Sequence, residues 1–149
     1  MAKTFDIIPA SAAPFITIGA IGIVLILLVG LFAIIGYSSR NAKFEVSDQG
    51  LRISGGLYGQ FIPREEIEGE NAKIINLNTD TEYKPKLRTN GVGLPVYSEG
   101  WFKLNNNVKA LLFVTDRSKV VYIPTSQDYS ILLSVSNAEE CRQSMELWK

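Results

Sequence analysis

The sequence predicts a mainly β fold: an antiparallel barrel or sandwich of about seven short strands, closed by one C-terminal α-helix and preceded by one apolar helix long enough to cross a membrane. Three observations carry this expectation. Residues 14–37, PFITIGAIGIVLILLVGLFAIIGY, contain no charged side chain. From Lys43 onward, short stretches alternate between apolar and polar residues and are separated by Gly, Pro, Asn, Asp and Ser clusters, which is the patterning of strands and turns. Near the C-terminus the period lengthens to that of a helix, with Ala138, Cys141, Met145 and Trp148 on one face.

The totals narrow the function classes. Of 149 residues, about 110 lie beyond the apolar run, room for one domain with its own core. Lys and Arg number 15, as do Asp and Glu, so no global field draws nucleic acid or an acidic substrate, and no nucleic-acid partner is expected. One cysteine and no histidine exclude a disulfide framework, a Cys/His zinc site and histidine-based catalysis. No cofactor, metal site or enzymatic activity is therefore expected.

Taken in order, residues 1–13 form a mildly amphipathic tail at the membrane interface, where Pro9 and Pro14 interrupt any long helix. Residues 14–37 follow as a transmembrane helix, roughly 36 Å long against a hydrocarbon core of ~30 Å. The uncharged run from Ile7 to Ser39 is far longer than a signal-peptide core, and no small-x-small cleavage pattern follows it directly, so an uncleaved single-pass anchor is expected. Arg40 and Lys43, with Arg52 further on, outweigh Lys3 in the tail, which places the C-terminal side in the cytoplasm. Gly19, Gly22, Ala33 and Gly36 follow a 3-4 spacing along one stripe, where a partner helix or a second copy would approach closely. Glycine is also simply common in membrane helices.

Residues 38–42 read as a short linker, and residues 43–149 as the β module. Phe44 and Val46, the Ser47-Asp48-Gln49-Gly50 turn, and Leu51 and Ile53 give a hairpin signature. Further strands are predicted at 57–62, 72–77, 100–104, 108–114, 119–123 and 131–135, joined by turns at Asn105–Asn107 and Thr115–Ser118. Between them, Asn78 to Ser98 holds Pro85, Pro95, Gly91 and Gly93 without a sustained period and reads as a long irregular loop. Ser136 with Glu139 gives a capping box for the closing helix.

Short antiparallel strands followed by one helix follow the order of the pleckstrin-homology (PH) superfold, and the residues sharpen the resemblance. The run from Arg88 through Gly91, Gly93, Gly100 and Phe102 to Leu104 resembles the central segment of the bacterial PH-like domains, as do the Phe44–Ile53 hairpin and the Ile62–Ile67 stretch. The resemblance covers residues 43–148 and implies a PH-like fold and a binding role; its glycines and core positions specify no activity. Eukaryotic PH domains that hold phosphoinositides cluster Lys and Arg at the first hairpin loop. Here that loop is Ser47-Asp48-Gln49-Gly50, so specific phosphoinositide binding is not expected.

Candidate sites are few. Lys84, Lys86 and Arg88 place cations close together in the 78–98 stretch, as a contact for an anionic bilayer surface or a partner; a solvated loop carries the same residues. Glu65, Glu66, Glu68 and Glu70 match no calcium loop, and Gly91 with Gly93 lacks both the third glycine of a dinucleotide motif and the Gly-Lys of a P-loop. Cys141, Trp101 and Trp148 read as packing residues. The expected function is a membrane-anchored PH-like binding or scaffold module that acts on another protein or on its own copies. The alternative is an accessory subunit that regulates a transporter or membrane enzyme through its helix.

Overall fold

A computed structural model describes residues 11–148 together with Lys3, Asp6 and Pro9; the interfacial placement expected for the N-terminal tail lies outside the described residues. The chain divides into two compact units, residues 1–37 and 38–149. In the first, helix α1 (Ala13–Asn41) begins where the Ser11 hydroxyl accepts from the Ala13 N–H at 3.2 Å. Its Ala13–Tyr37 portion is long and apolar enough to cross a membrane. Helical backbone continues through residues 38–41, where a linker was expected, so Ala42 alone separates α1 from the first strand.

The second unit is mainly β. Strands β1 (Lys43–Ser47), β2 (Gly50–Ser54) and β3 (Phe61–Pro63) form a three-stranded antiparallel sheet. Strands β4 (Lys73–Ile75), β5 (Pro85–Leu94), β6 (Tyr97–Leu104), β7 (Lys109–Val114), β8 (Val120–Pro124) and β9 (Tyr129–Leu133) form a second sheet, and helix α2 (Ala138–Glu146) follows. The hairpin read around Ser47–Gly50 is β1–β2, with Phe44 opposite Ile53 and Val46 opposite Leu51.

Nine strands stand among the described residues because the 78–98 stretch is not an irregular loop: it contains a 3-10 turn, Thr81–Tyr83, and the ten-residue β5. Its strand character was hidden for physical reasons. β5 is an edge strand, mostly exposed on both faces, and register shifts between Pro85 and Leu87 and between Arg88 and Asn90 break the two-residue period. The glycines serve the pairing. Gly91 (φ 149°) lies opposite Gly100 (φ 110°), and a side chain on either would collide with the other strand's backbone.

The second sheet runs in the order β4-β8-β9-β7-β6-β5, and β7 pairs with β9 in parallel. Residues Thr115–Ser118, expected as a tight turn between neighbours, therefore carry the chain past β9 to β8. Ser134, just beyond β9, stitches this crossover: its hydroxyl accepts from the Thr115 and Asp116 N–H groups at 3.2 and 3.1 Å and donates to the Asp116 carbonyl at 2.8 Å.

The main core joins both sheets to α2: Leu51, Ile53 and Ile62 meet Leu111, Phe113, Ile123, Ile131 and Leu133, with Ala138, Met145 and Trp148 from the C-terminal segment. Cys141 and Trp101 pack against this core, and the Trp101 ring stands edge-on to Tyr129 at 5.2 Å. A second cluster uses the other alternation of the six-stranded sheet, with Phe102, Leu104, Leu112, Val114 and Leu132 buried beneath Tyr83 and Tyr122. The closing helix is capped one residue later than the Ser136/Glu139 pattern proposes. Asn137 Oδ1 accepts from the Glu140 N–H at 3.3 Å, and its amide donates to Glu140 Oε2 at 2.7 Å.

Candidate binding site

The β5–β6 hairpin and the turn after β7 enclose an open cleft of about 570 Å³. Lys86 and Arg88 come from β5, Arg117 from the crossover turn, and Leu87, Leu94, Pro95 and Phe102 supply apolar wall and floor. Gly93 packs over this floor. The Phe102 ring lies 3.4 Å from the place a side chain there would take, and the Arg88 Cδ lies 3.8 Å from it. Among the described residues, no carboxylate lines the cleft. Cations beside apolar surface suit an anion with an apolar neighbour, since guanidinium groups bind phosphate or carboxylate oxygens in pairs.

The cleft brings together two of the three cations singled out from the sequence. Lys84 is not among its lining residues; it ends the Thr81–Tyr83 turn, donates its N–H to the Thr81 carbonyl at 3.3 Å and accepts from the Asn105 N–H at 2.9 Å. Arg117 takes its place. Nothing local marks Arg117, because only the crossover brings its turn to the hairpin. The Arg117 carbonyl accepts from the Leu77 N–H at 2.8 Å, which fixes the turn.

A family model described as Bacterial PH domain matches residues 42–147. The chain belongs to this family. No curated protein and no solved structure matches the chain.

The bacterial PH domain carries a second polar feature that the sequence reading missed. Glu99, on β6, is 1% exposed. Its carboxylate accepts from the backbone N–H groups of Leu57 and Tyr58 at 2.6 and 3.2 Å and from the Tyr97 hydroxyl. These donors hold the loop between β2 and β3. Gly56 (φ 76°) is required where that loop meets the carboxylate, because a side chain would strike Glu99 Oε1. The Tyr58 hydroxyl then donates to Asn90 Oδ1 at 2.8 Å, tying the loop to β5.

A groove of about 370 Å³ lies between β1 and the start of α2 of the domain, lined by Phe44, Val46, Val135 and Cys141 among others. Burial pushes the Cys141 thiol up to about 11, so it stays protonated near neutrality and packs as a small apolar group. Glu65 and Glu66 lie in one 3-10 turn and Glu70 in the next, with Glu68 between them accepting from the Asn71 amide at 3.1 Å. In α1, Gly19, Gly22, Ala33 and Gly36 share one sector of about 100°. A side chain at Gly19 or Gly22 would meet open space.

Proposed function

We propose that this chain is a single-pass membrane protein whose bacterial PH domain is a non-catalytic binding and scaffolding module on the cytoplasmic side, where it binds another protein or further copies of itself. The junction supports this most: α1 ends at Asn41 and β1 begins at Lys43, so a domain from a binding family is leashed to the apolar helix. Even fully extended, the five residues after Tyr37 reach no more than about 18 Å, which keeps the entry point of the domain close to the end of the apolar run. Arg40 and Lys43 beside that run favour the cytoplasmic orientation. Lys86 and Arg88, with Arg117, supply a cationic surface for contact.

A second reading makes the protein an accessory subunit that regulates a transporter or membrane enzyme through α1, and the small-residue stripe Gly19, Gly22, Ala33 and Gly36 favours it. One experiment separates the two. A photo-crosslinker at Leu87 is used in cells, in the parent chain and in a chain whose residues 14–37 are replaced by an unrelated apolar span. Adducts that persist in the exchanged chain are expected for a binding module, and their loss would favour the helix. Alkaline extraction tests the anchor itself. A spanning helix stays with the membrane pellet, whereas a cleaved signal sequence would release the domain.

A further inference from the structure

Several elements of the domain converge at the end where the polypeptide enters it. Ala42 lines a cavity of about 50 Å³ with Tyr97, Thr115 and Ser134, which brings the starts of β1 and β6 together with the ends of β7 and β9. The Pro95–Val96 turn directly precedes Tyr97, and Arg117 lies just beyond Thr115. Lys43 pairs with Ser54, the last residue of β2, so the loop between β2 and β3 is at this end as well.

The two loop tips are apolar and exposed, Val96 at 76% and Leu57 at 64%. Both are held. Leu57 donates its N–H to buried Glu99, and Leu94 pairs with Tyr97 beneath Val96. Arg88 and Arg117 share the cleft with Pro95, and Lys43 and Lys119 are exposed nearby. Of the carboxylates here, Glu139 is paired with Arg142, while Asp116, whose Oδ1 accepts from the Ser118 N–H and hydroxyl, and Glu140, which accepts from the Asn137 amide, keep their charge against the four cations Arg88, Arg117, Lys43 and Lys119.

The geometry points to a second membrane contact: the Ala42 end of the domain rests on an anionic bilayer surface, with Leu57 and Val96 entering the interface and Arg88 and Arg117 meeting headgroup phosphates. This rests on the reading that α1 spans the bilayer, because the leash then keeps this end near the surface. Rigid apolar tips flanked by cations suit an interface that offers both a hydrocarbon boundary and negative charge. The site is built by the β5–β6 turn and the β2–β3 loop, and the acidic β1–β2 turn at the opposite end has no part in it.

The test uses the full chain reconstituted in phosphatidylcholine vesicles with or without phosphatidylglycerol. In a Cys141→Ser background, an environment-sensitive fluorophore is attached at Leu57→Cys, Val96→Cys or, as a control at the far end, Asn106→Cys. Nitroxide-labelled lipids should quench the probes at 57 and 96 in anionic vesicles, more weakly in neutral ones, and leave 106 unaffected. Arg88→Gln and Arg117→Gln should each lower the ratio of contacting to free domain by about fivefold at low salt. Protein that floats with the vesicles while 57 and 96 stay unquenched overturns the contact and leaves the anchor standing. Failure to float overturns both. Shielding of 57 and 96 in native membranes but not in pure lipid would also overturn it, by showing that a protein covers these tips.

Discussion

Glu99 is tolerated in the interior because donors surround it, and its loss should be felt well beyond β6. Glu99→Ala removes the acceptor of the Leu57 and Tyr58 N–H groups and of the Tyr97 hydroxyl, and at roughly 1 kcal/mol for each hydrogen bond lost the domain should lose about 3 kcal/mol of stability in urea unfolding. Glu99→Gln keeps an acceptor oxygen for the loop and should cost less. The neighbouring glycine pair has its own test: Gly91→Ala forces a φ of 149° on a residue with a side chain and should cost more than about 1 kcal/mol in the same assay. Cys141 tests burial chemically. With its thiol raised from 9.0 to about 11, it should react slowly with a thiol reagent at pH 8 and accelerate only as the pH climbs toward that value or the protein unfolds. Rapid labelling of the native protein would remove Cys141 from the packed face of α2. Neither Glu99 nor Arg117 was legible in the sequence, because one meets partners 42 and 41 positions away and the other joins its cleft through a crossover with no local signature.

Elements were legible in proportion to how one-sided their burial is. α2 buries Ala138 and Met145 and exposes Gln143, so its 3-4 pattern shows plainly. The β1–β2 hairpin alternates in the same clear way. β5 does not, and the strands expected at 57–62 and 72–77 shrink to Phe61–Pro63 and Lys73–Ile75 because the Glu99-held loop takes the residues before Phe61 and the Asn76–Asp80 turn takes those after Ile75. Two substitutions test α2 as the closing element. Met145→Asp places a carboxylate at a fully buried position and should destabilise the domain by several kcal/mol, enough to unfold one of ordinary stability. Gln143→Asp, on the exposed side, should shift stability by no more than about half a kcal/mol. Thermal melts compare them, and a Met145→Asp chain that melts with its parent would detach α2 from the core. Asn137→Ala removes the cap and should cost about 1 kcal/mol.

At the scale of the whole molecule, the sequence shows an uncharged apolar run followed by a β domain, and the order of elements already resembles the family that the matching model then shows. Strand order within the sheet is beyond periodicity, because pairing between β7 and β9 depends on which strand fills a gap rather than on what either strand looks like. Orientation is open to a direct measurement. A cysteine at Asn106, exposed in the β6–β7 turn, should stay unlabelled by an impermeant thiol reagent in intact cells and become labelled once they are permeabilised. Labelling without permeabilisation would put the domain on the other side. The crossover sealed by Ser134 also dictates how the protein is made. β8 cannot sit beside β7, and the slot between them is filled only by β9, the last strand to be synthesised. A nascent chain or a truncation product ending before Tyr129 therefore presents two open strand edges on either side of an empty slot, ready to capture any extended segment. Premature stop codons upstream of that point should give aggregates or rapid degradation, whereas chains that reach Leu133 can close the sheet.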